Sequence, residues 1–322
     1  MELGIVETSS TLMTDFLQKC GGYAVVDGGF ATELERHGAD LNDPLWSAKC
    51  LFSSPHLVRK VGTWNTISFE LRSVNFLVQS EHHNGSRVHV HLDYLHAGAS
   101  IIITASYQAT IQGFVAKGLS EEEAELLLRR SVEIASMALI WPMVPSIVGN
   151  LKDFHRRRLQ ILAKSGADLI AFETIPNKLE AKAYAELLEE EETNIPAWFS
   201  FNSKDGINVV SGDSILECAS IADSCKRAVA VGINCTPPRF IHGLVLAIQK
   251  ATSKPIVTYP NSGETYNAGL KQWTKSSGAA VDEDFVSYIG KWREAGASLF
   301  GGCCRTTPNT IRAISRVLSK CP

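Results

Sequence analysis

Glu294-Ala295-Gly296-Ala297-Ser298-Leu299-Phe300-Gly301-Gly302-Cys303-Cys304, close to the C-terminus, holds the pattern on which the chain is built. A helix-like stretch ends at a glycine, as helix C-termini often do. A short apolar run follows, reads as a buried strand, and gives way to a turn carrying two adjacent thiols. Neighbouring side chains on a strand point to opposite faces, so both sulfurs can grip one ion only if the chain turns out of the strand. Glycine permits such a turn, and Gly301-Gly302 is expected to swing both sulfurs to one side. A catalytic-type zinc site takes three protein ligands and keeps a fourth position open. The candidate for the third ligand is Cys235, in Val231-Gly232-Ile233-Asn234-Cys235-Thr236-Pro237-Pro238, again where an apolar run meets a breaker. A redox pair is the other reading of vicinal cysteines.

The same helix-glycine-strand pattern recurs upstream. Leu95-His96-Ala97-Gly98-Ala99 precedes Ser100-Ile101-Ile102-Ile103-Thr104, and Ala163-Lys164-Ser165-Gly166-Ala167 precedes Asp168-Leu169-Ile170-Ala171-Phe172. Further apolar strands are expected at Tyr23 to Val26, Ala197 to Phe201, Ala228 to Ile233 and Pro255 to Tyr259. Helical stretches are expected at Thr11 to Cys20, Leu179 to Glu190 and Arg239 to Lys250. Strand and helix in alternation imply a parallel sheet. Polar residues gather where each strand ends: Asp27, Ser106-Tyr107, Glu173, Asn202, Asn234-Cys235, Tyr259 to Asn261 and Cys303-Cys304. That distribution is expected of an α/β protein of the (β/α)8 TIM-barrel type, whose chemistry sits at the C-terminal ends of the strands. A doubly wound open sheet would concentrate its site at one switch point. Seven strands are clear, and an eighth would close the barrel.

Composition narrows the partners. A net charge of -3 over 322 residues offers no basic face for a phosphate backbone, so no nucleic acid is expected. No apolar run reaches the roughly 18–20 residues of a membrane span, and the acidic start, Met1 to Glu7, lacks the layout of an export signal. Eight cysteines without that signal are expected to be reduced thiols or metal ligands. These features point to a cytoplasmic enzyme; the sequence gives no clear oligomer signal, and a monomer is compatible with it. Arg156-Arg157-Arg158 and Glu189 to Glu192 read as solvated charge runs, and Thr306-Thr307-Pro308 as the start of the last helix. His82, His83, His89, His91 and His96 are not expected to hold a metal. Cys20, Cys50, Cys218, Cys225 and Cys321 show no partner spacing.

Val26-Asp27-Gly28-Gly29, Thr104-Ala105-Ser106-Tyr107-Gln108, Phe172-Glu173-Thr174-Ile175-Pro176-Asn177, Gly232-Ile233-Asn234-Cys235 and Gly301-Gly302-Cys303-Cys304 together resemble the zinc-dependent homocysteine S-methyltransferase family. The wording is nearest the plant-type enzymes that use S-methylmethionine. The resemblance implies a zinc-bearing barrel that moves a methyl group from a sulfonium donor, S-methylmethionine or S-adenosylmethionine, to homocysteine, producing methionine. It also implies that Cys235, Cys303 and Cys304 ligate Zn2+ and that Asp27 and Glu173 hold the amino-acid end of homocysteine.

Each assignment has a plainer rival. Asp27 could cap the helix near Thr32, and Glu173 could begin the next helix. Tyr107 or Tyr259 could face the cationic sulfonium, or Tyr107 could be rim packing. Asn234 could support the zinc site by a hydrogen bond or merely turn the chain. Residues 1–322 are read as one homocysteine-binding domain with two departures from the family pattern. About 62–90 is an insertion. Near 140–150 a third strand and a long glycine- and tyrosine-rich loop are missing, with Pro145 to Gly149 as the candidate replacement strand. An insertion followed by a loss suggests altered splicing or a faulty gene prediction, which sequencing the transcript across both junctions tests. It also raises the alternative of a catalytically impaired, non-enzyme variant.

Overall fold

The computed structural model describes residues 9–58, 90–134, 137–140, 148–191, 193–267, 272–274 and 282–320. Its strands are β1 (Ala24–Val25), β2 (Met137–Ile140), β3 (Leu169–Ile175), β4 (Ala197–Phe201), β5 (Ala228–Asn234), β6 (Ile256–Tyr259), β7 (Thr265–Asn267), β8 (Gln272–Thr274) and β9 (Ala297–Phe300). Seven of them form one sheet in the order β1-β9-β6-β5-β4-β3-β2, and every pairing is parallel. β7 and β8 form a separate antiparallel pair. On the outer edge of β1, Val26 makes a parallel bridge to Ile101, which puts the segment beginning at Ser100 beside the first strand. Eight segments thus follow one another in the order of a (β/α)8 barrel. Among the described residues no ladder joins Ile101 to β2, and the seam lies there.

The eighth strand is not where the sequence reading put it. Pro145 to Ile147 lie outside the described residues, and Val148 and Gly149 already belong to the helix Val148–Ala163. The third strand is Met137–Ile140, in register with Leu169 to Phe172 of β3. It escaped notice because Met137-Ala138-Leu139-Ile140 continues the apolar content of the preceding helix, Glu121–Ile134, with no glycine between them. Residues 62–89 of the expected insertion lie outside the described residues, and Val90 opens the helix Val90–His96.

Two cores separate the faces of the strands. All seven residues of β3 are buried, as a parallel strand covered on both sides requires. Ile170 and Phe172 face the helices, whereas Leu169 and Ala171 join an inner cluster with Val26, Ile103, Trp198, Ala230, Val257, Tyr259 and Leu299. Alternation of this kind fills a barrel with side chains rather than leaving a pore. Each fully buried aliphatic or aromatic side chain contributes about 1.5–3 kcal/mol. Met13 and Leu17 of the helix Ser9–Lys19 join the inner cluster, and Gly22 N–H bonds Leu17 O where that helix turns into β1. This first helix therefore packs at the end where the strands begin.

The outer helices are set by their caps. Asn177 accepts the Glu180 N–H to start Lys178–Glu190, and Ser214 accepts that of Glu217 to start Ile215–Ser224. In the last helix, Pro308–Leu318, Thr307 N–H donates to Thr310 Oγ1, and Ile311, Ile314 and Leu318 form the buried stripe. The charge runs divide in a way the sequence reading did not anticipate. Arg156 pairs with Glu190 and Glu191, and Arg157 with Glu121 and Glu125, on the surface. Arg158 is instead 3% exposed, because helical spacing turns it a full face away from them.

Candidate functional site

Three thiols meet at the C-terminal end of the sheet. Cys235 follows β5, and Cys303 and Cys304 follow β9, with β6 running between those strands. The sulfurs of Cys235 and Cys304 stand 3.9 Å apart, those of Cys303 and Cys304 3.9 Å, and those of Cys235 and Cys303 2.6 Å. Three sulfurs about 2.3 Å from one tetrahedral ion would stand about 3.8 Å from each other. Two of the three separations match, and the third pair would open to admit the ion. Without a cation only one thiol ionises readily. Hydrogen bonds from Cys235 and Cys303 hold Cys304 well below the usual thiol range, while Cys303 is pushed up by the thiols beside it. A bound cation removes that competition, since a coordinated thiol is deprotonated outright.

The turns that aim the sulfurs are not made by glycine. Cys235 and Arg305 adopt φ of 46° and 66°, in the left-handed region that disfavours side chains, and Thr174 at the end of β3 has φ 59°. Such strain gathers at functional sites. Gly301 and Gly302 lie outside that region and serve close packing instead. A Cβ on Gly302 would stand 2.3 Å from Thr306 Oγ1, and one on Gly301 2.8 Å from Val26 O. The expectation that these glycines supply the turn is corrected accordingly: they let the end of β9 pass between its neighbours. The turn is pinned from the first loop, where Gly29 N–H donates to Thr306 Oγ1 (3.0 Å) and Arg305 N–H to Thr32 Oγ1 (2.9 Å).

The carboxylates expected at the site share its cleft or border it. Asp27 is 1% exposed and accepts the Ile103 N–H at Oδ2 (2.9 Å), while its Oδ1 is buried with no hydrogen-bond partner. It caps no helix: Phe30–Arg36 has Gly29 at its N-cap position and no side-chain cap. Burial raises the Asp27 pKa well above the usual carboxylate range. Glu173, inside β3, is raised to about 8 by burial, reinforced by the negative charge of Asp27. Among the described residues that line the cleft with the three thiols and Glu173 none is basic.

Tyr107, Tyr259, Trp46, Phe30, Thr104 and Glu173 line the cleft with the three cysteines. Trp46 meets Tyr107 edge-on at 5.8 Å between ring centroids, and its own φ is 45°. Sequence reasoning missed Trp46 and Phe30. The one available signal was an isolated tryptophan in the polar stretch Asn42 to Lys49. Asn234 is fully buried and does not open onto the cleft. Its Oδ1 accepts from Thr174 N–H (2.8 Å) and Ser200 Oγ (2.6 Å), and its Nδ2 donates to Thr174 Oγ1 (2.7 Å). The side chain thus clamps the ends of β3, β4 and β5 immediately before Cys235.

Outside the cleft, His91 is buried and stacks on Phe30 at 4.8 Å. His82, His83 and His89 lie outside the described residues, as does Cys321. Cys20, Cys50, Cys218 and Cys225 are free. Among the described residues no helix is long and apolar enough to cross a membrane.

The family model for homocysteine S-methyltransferase matches residues 24–318. Homocysteine S-methyltransferase 3 of Arabidopsis thaliana is 59% identical over 363 aligned positions, covering 99% of this chain and 96% of the relative. That alignment is longer than the chain, so the relative carries stretches with no counterpart here. A selenocysteine methyltransferase of Astragalus bisulcatus is 56% identical, with 97% of each chain covered. Among solved structures, the metallated form of the homocysteine methyltransferase MmuM from Escherichia coli superposes with a TM-score of 0.74 at 32% identity, covering 94% of this chain and 98% of that one.

Proposed function

The chain belongs to the homocysteine S-methyltransferase family, and on that premise we propose that it is a zinc enzyme taking its methyl group from a sulfonium donor, S-methylmethionine in the first place. The observation that carries this reading is the convergence of Cys235, Cys303 and Cys304 in a cleft shared with Glu173 and bordered by Asp27. The three cysteines are the residues that would hold the ion. When bound, zinc supplies the charge that keeps a coordinated homocysteine thiol ionised at neutral pH, where a free thiol of pKa about 8.5 is mostly protonated.

The remaining steps belong to the chain. Asp27 and Glu173 receive the ammonium group of homocysteine, whose N–H bonds satisfy the orphaned Asp27 Oδ1 and restore the lower pKa of both carboxylates. Tyr107, Tyr259 and Trp46 present aromatic surface to the sulfonium. The nucleophilic sulfur uses a lone pair to form the new S–CH3 bond as the C–S bond of the donor breaks. The donor's sulfur keeps that bonding pair and leaves as a neutral thioether. No proton moves in this step, so no general base is required. Asn234 acts behind the site by fixing the peptide that leads to Cys235.

A cluster of free thiols needs a reducing compartment, which supports a cytosolic location. The reading treats residues 1–322 as one catalytic domain. Its test is zinc content and methionine formation on purified protein, with homocysteine and each donor in turn. About one zinc per chain is expected, with faster turnover on S-methylmethionine than on S-adenosylmethionine. Cys304→Ser should lose both zinc and activity. Well-folded protein that takes up no zinc under reducing conditions would refute the site, and preference for S-adenosylmethionine would refute the donor.

A further inference from the structure

Behind the cleft lies a second group of ionisable side chains that the methyl transfer does not use. His155 and Arg158 come from the helix Val148–Ala163, and Glu180 and Tyr184 from Lys178–Glu190; all four are at most 3% exposed. Arg158 Nη2 lies 3.0 Å from His155 Nδ1. A guanidinium only donates, so Nδ1 must accept and the proton of a neutral imidazole sits on Nε2. Burial and the adjacent Arg158 agree, lowering the His155 pKa to about 2. Nε2 then points its proton at Glu180 Oε1 (3.4 Å) and the Tyr184 hydroxyl (3.3 Å), and that hydroxyl donates to Glu180 Oε1 (3.2 Å).

Both ends of this chain of bonds reach the active-site loops. At one end Arg158 Nη1 donates to the Ala109 carbonyl (3.4 Å), two residues beyond Tyr107. At the other, Glu180 lies in the first turn of the helix that leaves β3, its N–H held by Asn177 (2.8 Å). Tyr184 also stacks on Phe172, the neighbour of Glu173, at 4.2 Å. The loops after Ile101 and after β3 meet in the cleft, where the Tyr107 hydroxyl hydrogen-bonds Thr174. They are therefore joined twice, once at the cleft and once behind it.

We propose that Arg158 is a positioning residue for the methyl donor: through Ala109 it fixes the loop carrying Tyr107, and through His155 and Glu180 it ties that loop to the end of β3. The inference rests on the reading of Tyr107 as the ring that faces the sulfonium. A buried arginine used only for stability would need partners in the core, but it would not need to reach a carbonyl on the loop that shapes the cleft. A methionine at position 158 keeps much of the volume and removes the donors.

The test is steady-state kinetics on Arg158→Met, Tyr107→Ala and the double variant, with zinc content measured on each. Arg158→Met is expected to raise KM for the sulfonium donor about ten-fold with homocysteine KM within about two-fold and zinc unchanged. In the Tyr107→Ala background the same substitution should have little further effect, because both act through one loop. If Arg158→Met does not fold, Arg158→Lys is read the same way, since lysine lacks the two-nitrogen fork that serves Ala109 O and His155 Nδ1 from separate atoms. Fully additive effects, or a loss of kcat with both KM values and zinc altered together, would show a merely structural role and overturn the proposal. If Tyr107→Ala leaves donor KM unchanged, the reading of Tyr107 fails instead, and the positioning role falls with it.

Discussion

Asn234→Ala tests the link between fold and site. The side chain is fully buried and makes three hydrogen bonds, to Thr174 N–H, Thr174 Oγ1 and Ser200 Oγ. Alanine would leave the Thr174 N–H and the Ser200 hydroxyl buried without their acceptor, at about 1–3 kcal/mol each. With the small cavity added, the loss should be on the order of 3–5 kcal/mol. At about 2.1 cal/mol/K of unfolding entropy per residue over 322 residues, 1 kcal/mol moves Tm by about 1.5 °C, so the melting temperature should fall by about 4–7 °C. The second consequence is local. Thr174 and Cys235 hold left-handed backbone, with φ of 59° and 46°; the Asn234 side chain bonds the first directly and immediately precedes the second. Its removal should weaken zinc retention against a chelator more than a Leu→Ala change of equal thermal cost elsewhere in the core. Scanning calorimetry and zinc release to a colorimetric chelator measure the two effects. A variant that melts within about 2 °C of the parent and keeps its zinc equally well would refute the reasoning.

Three further outcomes follow from the same geometry. Glu180 has its pKa raised from 4.5 to about 7, first by burial. The folded state therefore holds a proton that the unfolded chain has released, so stability present below about pH 4.5 is lost as pH rises through 7, by up to about 3 kcal/mol. Glu180→Gln cannot ionise, and the Tm of the variant relative to the parent should rise between pH 5 and 7.5; a flat difference would contradict this. Gly232→Ala would put a Cβ 1.8 Å from Val257 O and force β5 and β6 apart. It should cost more than about 4 kcal/mol and abolish soluble expression, and an unchanged melting curve would count against that packing. Asp27→Asn keeps an acceptor for Ile103 N–H but loses the charge offered to an ammonium. Homocysteine KM should rise about 10- to 100-fold with donor KM unchanged, and equal changes in both would argue against that role.

Much of this was legible in the sequence because parallel strands are short, apolar and preceded by helix-ending glycines. Gly98, Gly166 and Gly296 all have positive φ and stand just before the strand segments at Ile101, β3 and β9. The thiols could be paired across 68 residues because each sits where an apolar run stops. What failed was information held in three dimensions. Met137–Ile140 has the composition of a helix end and becomes a strand only because β3 offers a free edge. Gly301 and Gly302 look like turn residues, yet their neighbours' carbonyls and hydroxyls decide their use. Arg158 looks like the third member of a solvated run, and only the facing helix shows that it is buried with a histidine and a glutamate.

The strand order also bears on how the protein is made. β1, near residue 24, pairs with β9, near residue 299, and β9 alone connects it to β6. At about 5–20 residues per second of synthesis, the first strand waits for tens of seconds before its partner exists. Until then its only strand contact among the described residues is the single bridge from Val26 to Ile101. Cys235 likewise waits for Cys303 and Cys304. A nascent chain stalled anywhere before β9 would therefore expose an unpaired first strand and a lone thiol. Termination anywhere before Cys303 should yield a product that cannot assemble its site at all, however complete the rest of its barrel.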